Sequence, residues 1–93
     1  MICFDYAYSN HAIAQMFKRD ISPDQVEEAI KNGERIKEYP QDKPFPSYLL
    51  LYTVNQRPLH VVVSQDVNSG ICYVITAYVP DPFIWDAEFK NKK

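Results

Sequence analysis

"ISPDQVEEAIKNGERIKEY", Ile21 to Tyr39, contains the change of period that decides the fold class. Up to Gly33 the apolar residues recur at helical spacing, with Val26, Ala29 and Ile30 in one stripe. Ser22 stands where an N-cap is wanted, Pro23 takes the first helical position, and Gln25 completes a capping box. Ile21 and Val26 supply the matching hydrophobic staple. Gly33 is expected to end the helix in a left-handed conformation. Beyond it the period drops to two, and residues 34–40 read as a short strand ended by Pro40.

Upstream, residues 11–19 predict a first helix. Ile13, Met16 and Phe17 form an apolar arc expected to face the core, with His11, Gln15, Lys18 and, at the edge, Arg19 on the opposite side. Downstream, "QDKPFPS" is a loop pinned by Pro44 and Pro46. "YLLLYTV" is a strand apolar on both faces, and "LHVVVSQD" and "ICYVITAYV" follow as β-branched strands after the turns "NQRP" and "VNSG". The tail "PDPFIWDAEFKNKK" is expected to fold Phe83, Trp85 and Phe89 back onto the body. Residues 1–93 therefore predict a single α+β domain, with two helices on one face of a four-stranded, mainly antiparallel sheet. A short additional strand at residues 2–6 fits the pattern.

The chain has 93 residues, 46% of them hydrophobic, with seven Tyr, five Phe and one Trp, enough for a core and against disorder. A net charge of −2 gives no general footprint for nucleic acid, although a small local basic patch can coexist with it. The N-terminus lacks a basic n-region, and no apolar run approaches the roughly 20 residues that span a bilayer. A soluble cytoplasmic protein is expected. Cys3 and Cys72 lie far apart with no C-x-x-C, which reads as buried reduced thiols and not as a disulfide or a zinc site.

Chemistry concentrates in two places. If a three-residue turn separates Asp66 from Gly70, His60 pairs with Thr76, Tyr78 is its diagonal neighbour, and all share a face with Val62 and Val74. Similar turn logic brings Thr53 beside His60. One reading is a core histidine satisfied by Thr76 and a carbonyl. The other is a general acid/base oriented by a tyrosine and a threonine, since an imidazole titrates near pH ~6.5. The second place is the polar face of the first helix, where His11 and Gln15 adjoin two cations, Lys18 and Arg19. As a solvated face it needs no explanation. As a site it suits holding a phosphate and moving a proton on a neighbouring hydroxyl. With only Gly33 and Gly70 there is no glycine-rich phosphate loop, and no metal-ligand spacing or cofactor motif occurs. Asp42, Asp81 and Asp86 read as turn or surface residues.

The run S-x-H-A-x-x-Q-M-x-x-R-x-I-S (Ser9, His11, Ala12, Gln15, Met16, Arg19, Ile21, Ser22) resembles the opening of the domain-of-unknown-function family 4258. "NGERIKEYPQDKPFPSYLLL", "RPLHVVVSQD" and "VITAYVPDPFIWDAEFKNKK" follow in the matching order, so the resemblance covers nearly the whole chain. It implies a RelE/barnase-like fold and a kinship with bacterial toxin modules of the RelE and MqsR type. Such toxins are metal-independent endoribonucleases that activate an RNA 2′-hydroxyl, and they are encoded beside small antitoxin partners. By position, His11, Lys18, Arg19, His60 and Tyr78 would be catalytic, with Gln15, Thr53 and Thr76 in support, and no metal or cofactor. The competing reading is a non-catalytic interaction module or homodimer, in which the His and Arg residues are structural. Burial discriminates: an open cleft at Arg19 and His60 favours the enzyme, and enclosed, fully bonded side chains favour the module.

Overall fold

The computed structural model describes residues 1–93. In chain order the elements are β1 (Asp5–Tyr8), α1 (Asn10–Lys18), α2 (Pro23–Asn32), β2 (Glu34–Tyr39), β3 (Ser47–Val54), β4 (Arg57–Gln65) and β5 (Ile71–Tyr78). The strands form one sheet of order β1-β5-β4-β3-β2. Two helices on a sheet give the expected α+β class. The sheet itself is five-stranded and mixed, because β1 joins the edge parallel to β5 while the other pairings are antiparallel.

Local chemistry explains the helices. Ser22 caps α2 by accepting from the Gln25 N–H, and the Gln25 side chain returns a bond to the Ser22 N–H, so the capping box is complete. Ser9 caps α1 by accepting from the Ala12 N–H. Gly33 departs from expectation: its φ of −72° is ordinary extended backbone, not left-handed. Glycine is required there for space, since a Cβ would stand 2.3 Å from the Ala29 carbonyl oxygen and 3.0 Å from that of Leu51.

Both helices lie on one face of the sheet. Ala12 and Met16 of α1 and Val26, Ala29 and Ile30 of α2 pack with Leu50, Leu59, Val61, Val63, Cys72, Val74 and Ala77 in a buried cluster. Only part of the α1 apolar arc takes part. Met16 is buried, whereas Ile13 is 53% and Phe17 90% exposed, because Ala12 occupies the position nearest the sheet. Strand alternation turns His60, Val62 and Ser64 to the other face. The C-terminal tail covers part of that face with Trp85, which is buried, and Phe89, which is half-buried, while Phe83 stays in solvent.

Two turns and a bulge set a register different from the expected one. Asn55 and Gln56 both take positive φ, 50° and 67°, and close a two-residue hairpin that pairs Val54 with Arg57. His60 therefore faces Leu51, and Thr53 faces Pro58. The Asp66–Ile71 turn holds one residue more than the three-residue turn expected, and a bulge between Val62 and Val63 adds another. Together they place Tyr78 opposite His60 and Thr76 opposite Val62, and they move Val74 to the helix face.

Cys3 and Cys72 form a disulfide, which overturns the reading of reduced thiols. The parallel pairing of Tyr6 with Cys72 carries the preceding segment alongside β5 and brings the two Cα atoms to 5.7 Å, across 69 residues of sequence. No helix is long and apolar enough to cross a membrane.

The two ends of α2 give an internally controlled test. Ser22→Ala should cost about 1 kcal/mol in urea unfolding, the usual value of an N-cap. Gly33→Ala should cost more than about 2 kcal/mol, because the added methyl meets backbone that cannot move aside. A Gly33→Ala protein as stable as the parent would refute the close-approach explanation.

Candidate functional site

His60 is the centre of the best-ordered polar cluster. It sits mid-strand in β4 and has no exposed surface. Its Nε2 lies 2.7 Å from the Phe89 carbonyl oxygen, and its Nδ1 lies 3.1 Å from the Tyr78 hydroxyl. A carbonyl only accepts, so Nε2 carries the proton and donates. Nδ1 then holds the lone pair and accepts from the Tyr78 O–H. Trp85 closes the third side, its ring edge-on to the imidazole at 4.5 Å between centroids.

The tail is built to deliver that carbonyl. Asp86 accepts from the Lys90 N–H, and this bond holds its carboxyl below the usual carboxylate range. The resulting turn gives Phe89 a φ of 60° and points its oxygen at the sheet. Lys90 pairs with Glu34 of β2 at 3.2 Å, an exposed bridge that adds little energy but marks where the tail lies.

The electrostatics match a structural imidazole. Burial pushes the His60 pKa down, and the bond to the Phe89 carbonyl offsets this in part. Burial also raises the Tyr78 phenol, with a smaller push from Tyr39, so Tyr78 stays protonated as the donor Nδ1 needs. A neutral imidazole whose lone pair and proton are both engaged, with no exposed surface, is not placed to exchange protons with a substrate.

The remaining residues expected at a site fall into separate places. His11, Lys18 and Arg19 are exposed on or next to α1, with Gln15 half-buried among them, and none of the three makes an ion pair. They occupy the helix face of the sheet, whereas His60 and Tyr78 lie on the opposite face, so the sheet divides the expected constellation in two. Thr76 shares the His60 face but pairs with Val62, and Thr53 is exposed at the far end of β3. Arg57 was no part of the expected set. Its guanidinium donates to the carbonyls of Asp20, at 3.0 Å, and Arg19, capping the end of α1. No three His, Cys, Asp or Glu side chains converge as a metal-ligating group.

Two concavities flank the sheet. On the helix face, Tyr8, Ile13, Met16, Phe17, Ile21 and Pro23 line an apolar groove of about 330 Å³. Tyr8 donates to Glu27 at 2.6 Å along its rim, and burial, reinforced by that carboxylate, raises the phenol pKa. On the other face the 40–46 loop borders an open concavity of about 420 Å³ beside Ser47, Ser64 and Tyr73.

The family model for a domain of unknown function, DUF4258, matches residues 8–79. The chain belongs to that family. The matched DUF4258 region holds α1, α2 and strands β2 to β5, but ends before the Trp85–Phe89 segment that closes over His60. No curated protein and no solved structure matches the chain.

The state of His60 has a pH signature. Its folded pKa lies below the unfolded value of about 6.5, so the unfolded chain binds the extra proton. The stability this group contributes is fully present above pH ~6.5 and is lost as pH falls through the folded pKa. Urea midpoints should therefore drop between neutral pH and pH ~5, and His60→Gln should flatten that slope. A slope unchanged by the substitution would show that His60 is not the group responsible.

Proposed function

We propose that this protein is a non-catalytic interaction module that docks a second copy of itself through the groove between α1 and α2. The observation that carries the reading is Phe17, 90% exposed on a regular helix beside an apolar groove. A large aromatic held in water next to unfilled apolar surface is the usual mark of a contact face. Shape selects the occupant. The same face offers a protruding aromatic, Phe17, and an unfilled apolar groove that can receive one. Such a face complements its own two-fold copy, with Phe17 of each in the facing groove. The enclosure of His60 supports the same reading, because it leaves the internal imidazole no substrate to meet.

Sedimentation should give a dimer for the parent and a folded monomer for Phe17→Glu, since that side chain contributes nothing to the core of one chain. Ile13→Glu, on the same wall of the groove, should likewise weaken the dimer. A parent that is monomeric at high concentration, or a dimer indifferent to Phe17→Glu, would overturn the proposal.

A second reading is the metal-independent endoribonuclease of a RelE/MqsR-type toxin module, with RNA as substrate and a small antitoxin as partner. One observation favours it: His11, Lys18 and Arg19 are exposed together without ion-pair partners. On this geometry such an activity would use the α1 face and not His60. The interaction-module account expects RNA to remain intact with the purified protein. Cleavage by the parent that His11→Ala or Lys18→Ala abolishes would establish the ribonuclease instead.

A further inference from the structure

We propose that the cavity beneath the 40–46 loop is a binding site for a purine base. Ser47, Ser64 and Tyr73 lie in one cross-strand row over β3, β4 and β5, on the face away from the helices. Two serines at neighbouring points of that row leave the space, where larger apolar side chains such as Leu49 and Val62 fill the next one. The loop then crosses above them, and Phe45 stacks nearly parallel to Tyr73, 10° between planes at 5.7 Å.

The polar groups of this cavity are incompletely used. Ser47, fully buried, donates to Asp42, and this bond fixes the loop and orients the carboxylate. Ser64 is only 8% exposed, lines the cavity, and has a hydroxyl with no protein partner. No buried side-chain oxygen in the chain lacks a partner, so this hydroxyl is open to the cavity and available to a ligand, and valine would fit a central strand better. Lys43 forms no ion pair and stands next to Asp42 on the rim. An acceptor and a donor side by side in a cavity also lined by Phe45 and Tyr73 call for a planar ring whose edge carries a donor next to an acceptor. The Watson–Crick edges of purines have that pattern, and about 420 Å³ lies in the lower part of the range for small-ligand pockets. This inference does not rest on the docking proposal, which concerns the opposite face.

Amide NMR of the full chain, titrated with guanosine and adenosine and with glucose as a non-planar control, tests it. Purine-induced shifts are expected at Asp42, Phe45, Ser64 and Tyr73, and none from glucose. Asp42→Asn should weaken purine binding about tenfold, the loss of one charge-assisted bond. Ser64→Val should abolish it while leaving the melting temperature equal or higher, an outcome a hydroxyl kept for stability would not produce. No shift from either purine at millimolar concentration, shifts centred elsewhere, equal shifts from glucose, or purine binding that survives Ser64→Val would each overturn the assignment.

Discussion

One imidazole, hydrogen-bonded on both sides, ties the C-terminal segment to the far face of the sheet. His60 gives its proton to the Phe89 carbonyl and takes the Tyr78 proton on its lone pair. A polar ring in the middle of an apolar strand would otherwise carry an unmet desolvation cost. Meeting it from both sides fixes one tautomer and one ring orientation, and it sets the place of the tail. Trp85 then has a surface to pack on, and Lys90 reaches Glu34 on the outer strand. The helices cover the opposite face chiefly with apolar contacts, supplemented by Arg57 at the end of α1 and Tyr8 on Glu27.

This division assigns different physics to the two faces. The helix face is closed by the cluster from Ala12 to Ala77 and leaves Ile13 and Phe17 outside it. The far face mixes a tail held by directional bonds with a loop held by the Ser47–Asp42 bond, and beneath that loop lies open volume. Groups exposed enough to act on something else are therefore peripheral: the cations of α1, the aromatic edge of the groove, and the polar rim of the loop. The buried imidazole, the most conspicuous chemical group in the chain, is a fastening.

What was legible in advance follows from how local each determinant is. Ser22, Pro23 and Gln25 act within one turn, so α2 could be read from the chain directly. β4 and β5 were equally plain from their β-branched runs, β3 from its apolar run and β2 from the change of period. Register was not, because it depends on the length of the Asp66–Ile71 turn, the tight positive-φ pair Asn55–Gln56 and one bulge, none of which composition displays. The Cys3–Cys72 bridge was hidden for a related reason, since only the parallel pairing of β1 with β5 brings the two cysteines together. His60 and Tyr78 were correctly singled out as neighbours. The decisive partner of His60 is a main-chain oxygen of Phe89, which no residue-type pattern announces.

The separation of His60 from solvent is the claim on which the account turns, and long-range ¹H–¹⁵N correlation of the two histidine rings measures it most directly. The account predicts that His60 shows the Nε2–H tautomer with a slowly exchanging ring proton throughout the neutral range, while His11 exchanges freely. A His60 ring that exchanges rapidly, or that populates the Nδ1–H tautomer, would contradict it and return the imidazole to the list of groups free to do chemistry.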